Sequence, residues 1–416
     1  MKRIQVTGMD VTGEDKRVMI DAILDGEISY GKYNKLAEKA LAEYEGQDYA
    51  FLVNSGSSAN LLAFMAFTSP AMYPSWRVSP GDEIITVAAA FPTTVAPIVQ
   101  AGCIPVFVDI DERYNIRVDM LEAAWSKKTK GVFLAHTLGN PYDIDAVVRF
   151  CRENNLFLIS DCCDALGSTY KGKMVTNKGF AHVFTNSFYP AHHITAGEGG
   201  AVLTSDPVIA AIVQSLRDWG RSCSCDPGKD NKCGKRFEGQ HGELPEGYDH
   251  KYVYSHLGYN LKMTNPQAAL LYSQLQRVDQ YKKIRVRNFD LLHESLHLWA
   301  FPWVLIDGVY LTYDAYTSHD TIPSWFGYPI LLPSHVDRRK VVQRINASGV
   351  DTRLLFSGNI TRQPLPYYPY RIVGNLEMTD RILNNFLWIG CWHGLSEENI
   401  LFERDVVRDI ILQESA

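Results

Sequence analysis

The chain of 416 residues is 46% hydrophobic and 21% charged, a composition typical of folded globular proteins and not of disordered or fibrous ones. The net charge of −6 gives no indication of the extended basic face that nucleic-acid binding requires. The N-terminal segment lacks the apolar core of a secretion signal, and the most apolar stretch, 87–108, is interrupted by three prolines. We therefore expect a cytoplasmic protein without a membrane span.

Short apolar segments alternate with segments of helical periodicity in the first half of the chain. Strands are predicted at 81–89, 103–110, 129–137 and 156–161, and helices at 91–101 and 143–154. The strands lack polar alternation, which indicates a parallel sheet buried on both faces. This order predicts an α/β domain with helices on both faces of the sheet, and such sheets bind ligands at the carboxyl ends of their strands.

The pattern changes in the second half. Residues 221–246 are rich in Gly, Asp, Lys and Pro and predict a long loop, whereas 265–292 and 397–413 predict helices, the first with Pro266 in its opening turn. Strands and helices mix from about residue 299 onward. We therefore predict a large domain over 1–275 and a smaller C-terminal α/β domain over 276–416.

The segment NSGSSAN at 54–60 joins an apolar strand to a helix. The free backbone N–H groups and hydroxyls of such a turn, here at Gly56 and Ser57, suit a phosphate group. The alternative is an ordinary helix start capped by Ser57 or Ser58, and the residues alone favour it.

Polar groups follow the next predicted strands. Asp161 ends a buried strand in SDCCDALG, where a carboxylate could hold a cationic ring nitrogen or cap the following helix. The segment SFYPAHHITAGEGG places Ser187, His192 and His193 in a turn-rich stretch. A histidine there is either a general base or a structural residue with a satisfied hydrogen bond.

Eight cysteines in a chain without a signal peptide predict thiols or metal ligands and not disulfides. Cys223, Cys225 and Cys233 share one polar loop with the spacing C-x-C-x7-C. Thiolates gathered in this way are natural ligands of an iron–sulfur cluster or of zinc. A fourth ligand must come from elsewhere, and Cys162 and Cys163 are the candidates. The alternative is a chance group of surface thiols.

Taken together, these segments resemble the DegT/DnrJ/EryC1/StrS family of sugar aminotransferases and dehydratases, which have the pyridoxal phosphate fold of type I. The resemblance covers nearly the whole chain and includes NSGSSAN, GDEIITVAAAFPTT, SDCCDALG and GYNLKMTNPQAALL. It implies that Phe91 stacks on the pyridine ring of the cofactor and that Asp161 pairs with the ring nitrogen. The cofactor-binding residues that it implies are Gly56, Ser57, Phe91, Asp161, Asp164, Ser187 and Asn260, the last acting on the phosphate of the partner subunit in a homodimer.

One departure from the aminotransferases determines the predicted function. Those enzymes hold the cofactor as a Schiff base on a lysine five residues after the serine of this segment, and here that position is His192. Histidine cannot form the bond but can exchange a proton. The segment resembles the 3-dehydratases of nucleotide-linked 4-keto-6-deoxyhexoses, which use pyridoxamine phosphate without a covalent bond to the protein.

Two dehydratase subclasses share that histidine. One renews its cofactor with glutamate, and the other adds a [2Fe–2S] cluster fed by a separate flavin/iron–sulfur reductase. The loop resembles the second, which implies Cys223, Cys225, Cys233 and Cys163 as ligands, with Cys162 the weaker candidate for the fourth. We therefore predict a cluster-containing 3-dehydratase of a nucleotide-linked 4-keto-6-deoxyhexose. The alternatives are the cluster-free dehydratase, a sugar aminotransferase-like protein, and a zinc-stabilised or redox-sensing binding protein.

Overall fold

Among the residues that the structure describes, the main sheet has eight strands, and the other strands form three two-stranded sheets. The structure is a computed structural model that describes residues 3–223, 225, 231, 234–300, 305–306, 309–310 and 321–415. The strands are β1 (Tyr49–Val53), β2 (Glu83–Val87), β3 (Ile104–Val108), β4 (Thr129–Ala135), β5 (Phe157–Asp161), β6 (Thr169–Tyr170), β7 (Lys173–Met174), β8 (Val183–Ser187), β9 (Gly200–Thr204), β10 (Leu305–Ile306), β11 (Val309–Tyr310), β12 (Gly327–Leu331), β13 (Arg371–Ile372) and β14 (Phe386–Gly390).

The order of the main sheet is β1-β9-β8-β5-β4-β2-β3-β13. Strand β9 is antiparallel to both of its neighbours, β1 and β8, and the remaining pairs are parallel. Strands β1, β8, β5, β4 and β2 therefore run in the same direction and end at one edge. This confirms the predicted mostly parallel α/β sheet, and it brings the segments that follow these strands together.

Helices cover both faces of this sheet because its strands are apolar on both sides. The helices are α1 (Gly13–Leu24), α2 (Lys32–Glu45), α3 (Gly56–Met65), α4 (Pro92–Gln100), α5 (Leu121–Ala124), α6 (Ile144–Glu153), α7 (Pro207–Arg217), α8 (Asn265–Leu275), α9 (Val278–Ala300), α10 (Arg338–Ala347), α11 (Glu377–Asn385) and α12 (Glu397–Ser415). One core contains Leu158 and Phe184 together with side chains of α2 and α8. The core on the other face contains Phe157 and Val202 with side chains of α3 and α7.

The predicted strands are confirmed as β2 to β5, and the predicted helices of the first half as α4 and α6. The prediction of one helix over 265–292 is wrong, because α8 ends at Leu275 and α9 begins at Val278. Arg277, in the break, donates to the buried carboxylate of Asp15 at 2.6 and 2.8 Å. The break lets α8 pack on α1 and α2 while α9 packs on β12 and α12.

The C-terminal part is built around the antiparallel pair β12–β14, against which α9, α10 and α11 pack, while α12 packs on α9 and α10. Its core includes Phe289, Trp325 and Tyr328 together with Ile4 from the start of the chain. Ile4 forms a parallel bridge with Val350. The predicted domain boundary at 275/276 falls between α8 and α9, and it stays a prediction.

The predicted loop over 221–246 contains no helix or strand among its described residues. Within the described part of the chain, no helix combines the length and the apolar character that crossing a membrane requires.

Candidate active site

A cavity of about 340 Å³ opens at the carboxyl edge of the main sheet. It is lined by Thr7, Gly56, Ser57, Asn60, Phe91, Thr93, Ala135, Leu138, Asp161, Cys163, Asp164, Ser187, Tyr189, Ala191, His192, Phe326, Arg353, Leu354, Phe356 and Trp388. The lining therefore includes eight of the predicted site residues, Gly56, Ser57, Phe91, Asp161, Cys163, Asp164, Ser187 and His192. Because each follows or ends a strand of the same direction, the sheet itself brings them together.

The start of α3 forms one wall of the cavity. Ser55 is the N-cap of the helix, since its hydroxyl accepts a hydrogen bond from the Ser58 N–H at 3.0 Å. The expected cap at Ser57 or Ser58 is therefore wrong, and Ser57 stays exposed in the first turn. A Cβ atom at Gly56 would lie 2.5 Å from Cβ of Ser187. Only glycine lets these two segments approach, which leaves the helix N-terminus open towards the cavity, as anion binding requires.

Asp161 is held by three hydrogen bonds at the end of β5. Its Oδ2 accepts from Asn60 Nδ2 at 2.7 Å and from Thr94 Oγ1 at 2.8 Å, and its Oδ1 accepts from the Cys163 N–H at 3.1 Å. The alternative role as a helix cap is not seen, because a turn follows β5. These donors fix a 5% exposed carboxylate in an orientation suited to a cationic ring nitrogen.

Asn60 and Thr94 are not among the residues that the sequence predicts for the site. Asn60 lies four residues after Gly56 on α3, a spacing that places both on one face of a helix, so NSGSSAN contained a usable signal. Thr94 gives no comparable signal, because its contact with Asp161 joins α4 to a strand 67 residues away.

His192 and Asp164 meet in the cavity without a normal hydrogen bond. The Nδ1 atom of His192 is 3.6 Å from Oδ1 of Asp164, which is too long for one. Nδ1 of His192 and Oδ2 of Asp164 are buried without a partner. Burial, assisted by the charge of Arg285, lowers the pKa of His192 to about 3. Burial, together with the charge of Asp161, raises the pKa of Asp164 to about 8.

His193 has a different environment from that of its neighbour. It is buried, and its Nε2 is 2.7 Å from the carbonyl oxygen of Ser324. This contact matches the structural alternative considered for a histidine in this segment.

Phe91 is 49% exposed, and its ring meets that of Phe356 edge to face, with 6.1 Å between centroids. An exposed ring at the cavity wall is available to stack on a ligand.

The two adjacent cysteines after β5 differ in position. Cys163 lines the cavity. Cys162 is fully buried, and its Sγ lies 3.6 Å from the carbonyl oxygen of Ser160, outside that cavity. Burial raises the pKa of both thiols well above the usual value. Of the two candidates for a fourth cluster ligand, only Cys163 faces the site.

The predicted cluster ligands of the loop are described in part. The Cys225 N–H lies 3.4 Å from Sγ of Cys223, and Cys233 lies outside the described residues. Within the described part of the chain, no group of three or more His, Cys, Asp or Glu side chains is placed to hold a metal ion. The cluster therefore stays a prediction.

Asn260 does not line the cavity of its own chain. It is exposed and forms an antiparallel bridge with Asp218. Two residues further on, Lys262 lines a second cavity of about 770 Å³, whose wall also carries Lys32, Lys35, Trp219, Arg221 and Lys251. Asn260 therefore lies beside a basic surface, and its predicted contact with a partner subunit stays a prediction.

The fold and this cavity define the class of the protein, which is the pyridoxal phosphate-dependent aminotransferase fold. The structure superposes with a TM-score of 0.83 on an Escherichia coli GDP-4-keto-6-deoxy-D-mannose-3-dehydratase with bound hydrated PLP. The match covers 99% of this chain and 100% of that one at 24% sequence identity, so it shows the fold.

Residues 10–407 match the DegT/DnrJ/EryC1/StrS aminotransferase family, and the chain belongs to it. It is 48% identical to the lipopolysaccharide biosynthesis protein RfbH of Salmonella typhimurium, over 95% of this chain and 88% of that protein. It is 42% identical to the dTDP-4-dehydro-2,6-dideoxy-D-glucose 3-dehydratase of Saccharopolyspora spinosa, over 99% of this chain and 87% of that enzyme. The predicted family and fold are thus confirmed.

Proposed function

We propose that the protein is a 3-dehydratase of nucleotide-linked 4-keto-6-deoxyhexoses that uses pyridoxamine phosphate. One observation carries the proposal: His192 lines the cavity, and no lysine stands among the described residues that line it. A transaminase of this fold needs an amine there to bind its cofactor covalently. The relatives named as 3-dehydratases support the proposal.

The residues of the cavity fit this cofactor. The open start of α3 at Gly56 and Ser57, with Ser187 beside it, suits the phosphate group. Asp161 is oriented to hold the ring nitrogen in its protonated form, and Phe91 offers a face for stacking. The bound cofactor would supply the amine that joins the sugar ketone and a ring that accepts electrons.

His192 would move the proton. Its unpartnered Nδ1 is kept unprotonated by burial, so it can accept a proton at that atom. Nδ1 lies 3.6 Å from Oδ1 of Asp164, so the positive charge of a proton bound there would favour the carboxylate form of Asp164. The same imidazole can then donate to the departing 3-hydroxyl group, because general acid and general base are one group in its two protonation states.

The second cavity supports a shared site in a homodimer. Its lining includes Lys32, Arg221, Lys262 and the ring of Trp219, which has Lys262 Nζ 3.7 Å from its centroid. Arg221 and Lys262 also pair with Asp218, at 3.7 and 2.6 Å. Cations and an aromatic face suit the diphosphate and base of a sugar nucleotide. Asn260 lies beside this surface, which agrees with its predicted role towards the partner subunit.

The proposal has two forms, which differ in how the cofactor is renewed after each reaction. The close approach of Cys223 and Cys225, with Cys163 in the cavity, favours the predicted cluster and a partner reductase. Renewal by glutamate is the alternative; within the described part of the chain, which does not include Cys233, no group of three potential ligands is placed to hold a metal ion. Iron and labile-sulfide analysis of anaerobically purified protein separates the two forms.

The proposed function is tested by two measurements. The protein is incubated with pyridoxamine phosphate and each of the CDP-, dTDP- and GDP-linked 4-keto-6-deoxyhexoses, and loss of the 3-hydroxyl group is followed by mass spectrometry. We expect dehydration of at least one of the three sugars. Borohydride treatment of the resting protein with pyridoxal phosphate should give no covalent adduct on a lysine. A trapped lysine adduct, or amino transfer without dehydration, would contradict the proposal.

A further inference from the structure

The structure buries one arginine directly behind the candidate active site. Arg285 of α9 is 0% exposed. Its Nη1 donates to the carbonyl oxygens of Trp325 at 3.0 Å and Phe326 at 3.4 Å. Its Nη2 donates to the carbonyl oxygen of His192 at 3.2 Å. The guanidinium therefore links the segment of His192 to the segment that enters β12.

These two segments hold the imidazole between them. The ring of His192 packs against the ring of Phe326, with 5.1 Å between centroids, and both residues line the cavity. Arg285 binds the main chain of both residues. A change in this link would shift both the imidazole and the ring on which it rests.

Burying the charged side chain of Arg285 costs folding free energy, and this cost is unexpected for a residue with only a structural role. The buried Nε of Arg285 has no hydrogen-bond partner, and the acidic groups that act on its charge are Cys391 and Asp164. Burying a cation without a paired anion destabilises a fold. Burial lowers the pKa of Arg285 to about 10, so it stays charged at neutral pH. The ionisable groups around it are Asp164, His192, His193, Cys391 and His393.

We propose that Arg285 is a positioning residue, which clamps the main chain of His192 and Phe326 and thereby fixes the imidazole at the reacting atoms. The proposal rests on the proposed function for the step that His192 serves. The clamp itself is a property of the fold and can be measured without substrate.

A second arginine provides a matched control. Arg338 of α10 also donates its Nη1 to two carbonyl oxygens, those of Leu383 at 2.6 Å and Phe386 at 3.4 Å. Neither Arg338 nor its two partners lines the cavity. Arg338→Met removes the same kind of contact at a distance from His192.

The experiment compares Arg285→Met, Arg285→Lys and Arg338→Met in the holoenzyme. We expect Arg285→Met to lower kcat by about 10- to 100-fold, since small misplacements of a catalytic group have effects of that size. KM and the affinity for pyridoxamine phosphate should change less than about threefold, because Arg285 contacts neither the phosphate wall nor Asp161. Arg285→Lys keeps the charge but cannot bridge both segments, so its kcat should lie between those of wild type and Arg285→Met.

Hydrogen exchange provides the readout without substrate. In Arg285→Met, exchange should rise in the peptide over 187–200, whereas Arg338→Met should leave that peptide unchanged. Wild-type kcat in Arg285→Lys, or unchanged exchange over 187–200 in Arg285→Met, would overturn the proposal. If Arg285→Met does not fold, Arg285→Lys decides by the same two measurements. Inactive wild type with increased exchange in the variant would refute the proposed function and leave the clamp standing.

Discussion

The cavity at the carboxyl edge and the cysteine loop over 221–246 are built in opposite ways. The cavity gathers eight predicted residues because five strands of one direction end there. In the loop, no strand or helix of the described residues holds Cys223 and Cys225 in register with Cys163. A site at strand ends follows from topology, whereas a site in a loop depends on what folds around it. The first kind of site can therefore be inferred from sequence with far fewer assumptions than the second.

The largest effect is expected where the cavity performs its chemistry. His192→Asn removes the proton acceptor, so dehydration should fall by about 10² to 10⁴-fold, while binding of pyridoxamine phosphate, followed by absorption, stays near wild type. His335→Asn is the matched control, since His335 is exposed and does not line the cavity. If His192→Asn still catalyses dehydration, the assignment of the chemistry to His192 in the cavity is wrong.

The next largest effect is expected at Asp161, and it distinguishes this carboxylate from Asp164. Asp161→Asn should weaken pyridoxamine phosphate binding and lower dehydration by roughly 100-fold, because the ring nitrogen loses its anionic partner. Asp164→Asn should leave cofactor affinity near wild type, since the pKa of about 8 keeps Asp164 protonated at neutral pH. Equal losses of cofactor affinity in the two variants would show that the two positions were wrongly distinguished.

A subunit-mixing experiment tests whether the cavity extends across a dimer. Asn260→Ala and His192→Asn should each be inactive alone. After the two variants are unfolded and refolded together, one site of each mixed dimer combines an intact His192 with an intact Asn260. Activity should recover to about a quarter of wild type, as random pairing of a twofold dimer gives. No recovery would mean that Asn260 acts within its own chain or on neither site.

The loop is tested by its metal content. Anaerobically purified wild type should contain about two irons per chain if it holds a [2Fe–2S] cluster. Cys223→Ser should then lose the iron and its visible absorption with little change in melting temperature. Cys162→Ser is the control and should retain the iron, because its Sγ faces Ser160 and not the cavity. Wild type without iron would leave glutamate as the means of renewal.

The smallest effect lies outside both regions, at a buried carboxyl group. Glu45 is fully buried beside Thr176, and burial raises its pKa to about 7. The folded state therefore binds a proton more tightly than the unfolded state, and stability is lost as pH rises from about 4.5 through 7. Glu45→Gln should reduce this loss by about 1–3 kcal/mol, measured by urea unfolding at pH 5 and pH 8. An unchanged pH dependence would contradict the assigned cause.

The sequence carried much of the fold because its strong signals were local. Apolar segments without polar alternation predicted β2 to β5, and their direction placed Asp161 and Ser187 at one edge. The break between α8 and α9 could not be predicted, since periodicity continues across it and the tertiary contact of Arg277 with Asp15 fixes the turn. Strand β13 has only two residues and pairs with β3, far away in sequence, so no local pattern marks it.

The residues of the site divide in the same way, into those marked by a local sequence pattern and those fixed only by tertiary contacts. Gly56, Asp161 and His192 belong to segments with distinct patterns, whereas Thr94 and Arg285 act through contacts between distant segments. Such contacts are determined by packing and leave no spacing to detect. The choice between Cys162 and Cys163 likewise depended on which face of the turn after β5 meets the cavity.

The beginning of the described chain has a practical consequence for anyone preparing this protein. Ile4 is joined to Val350, Arg3 pairs with Asp351 at 2.5 Å, and Thr7 lines the cavity. Trimming the first seven residues, or cleaving a purification tag within them, would open one wall of the cavity to solvent.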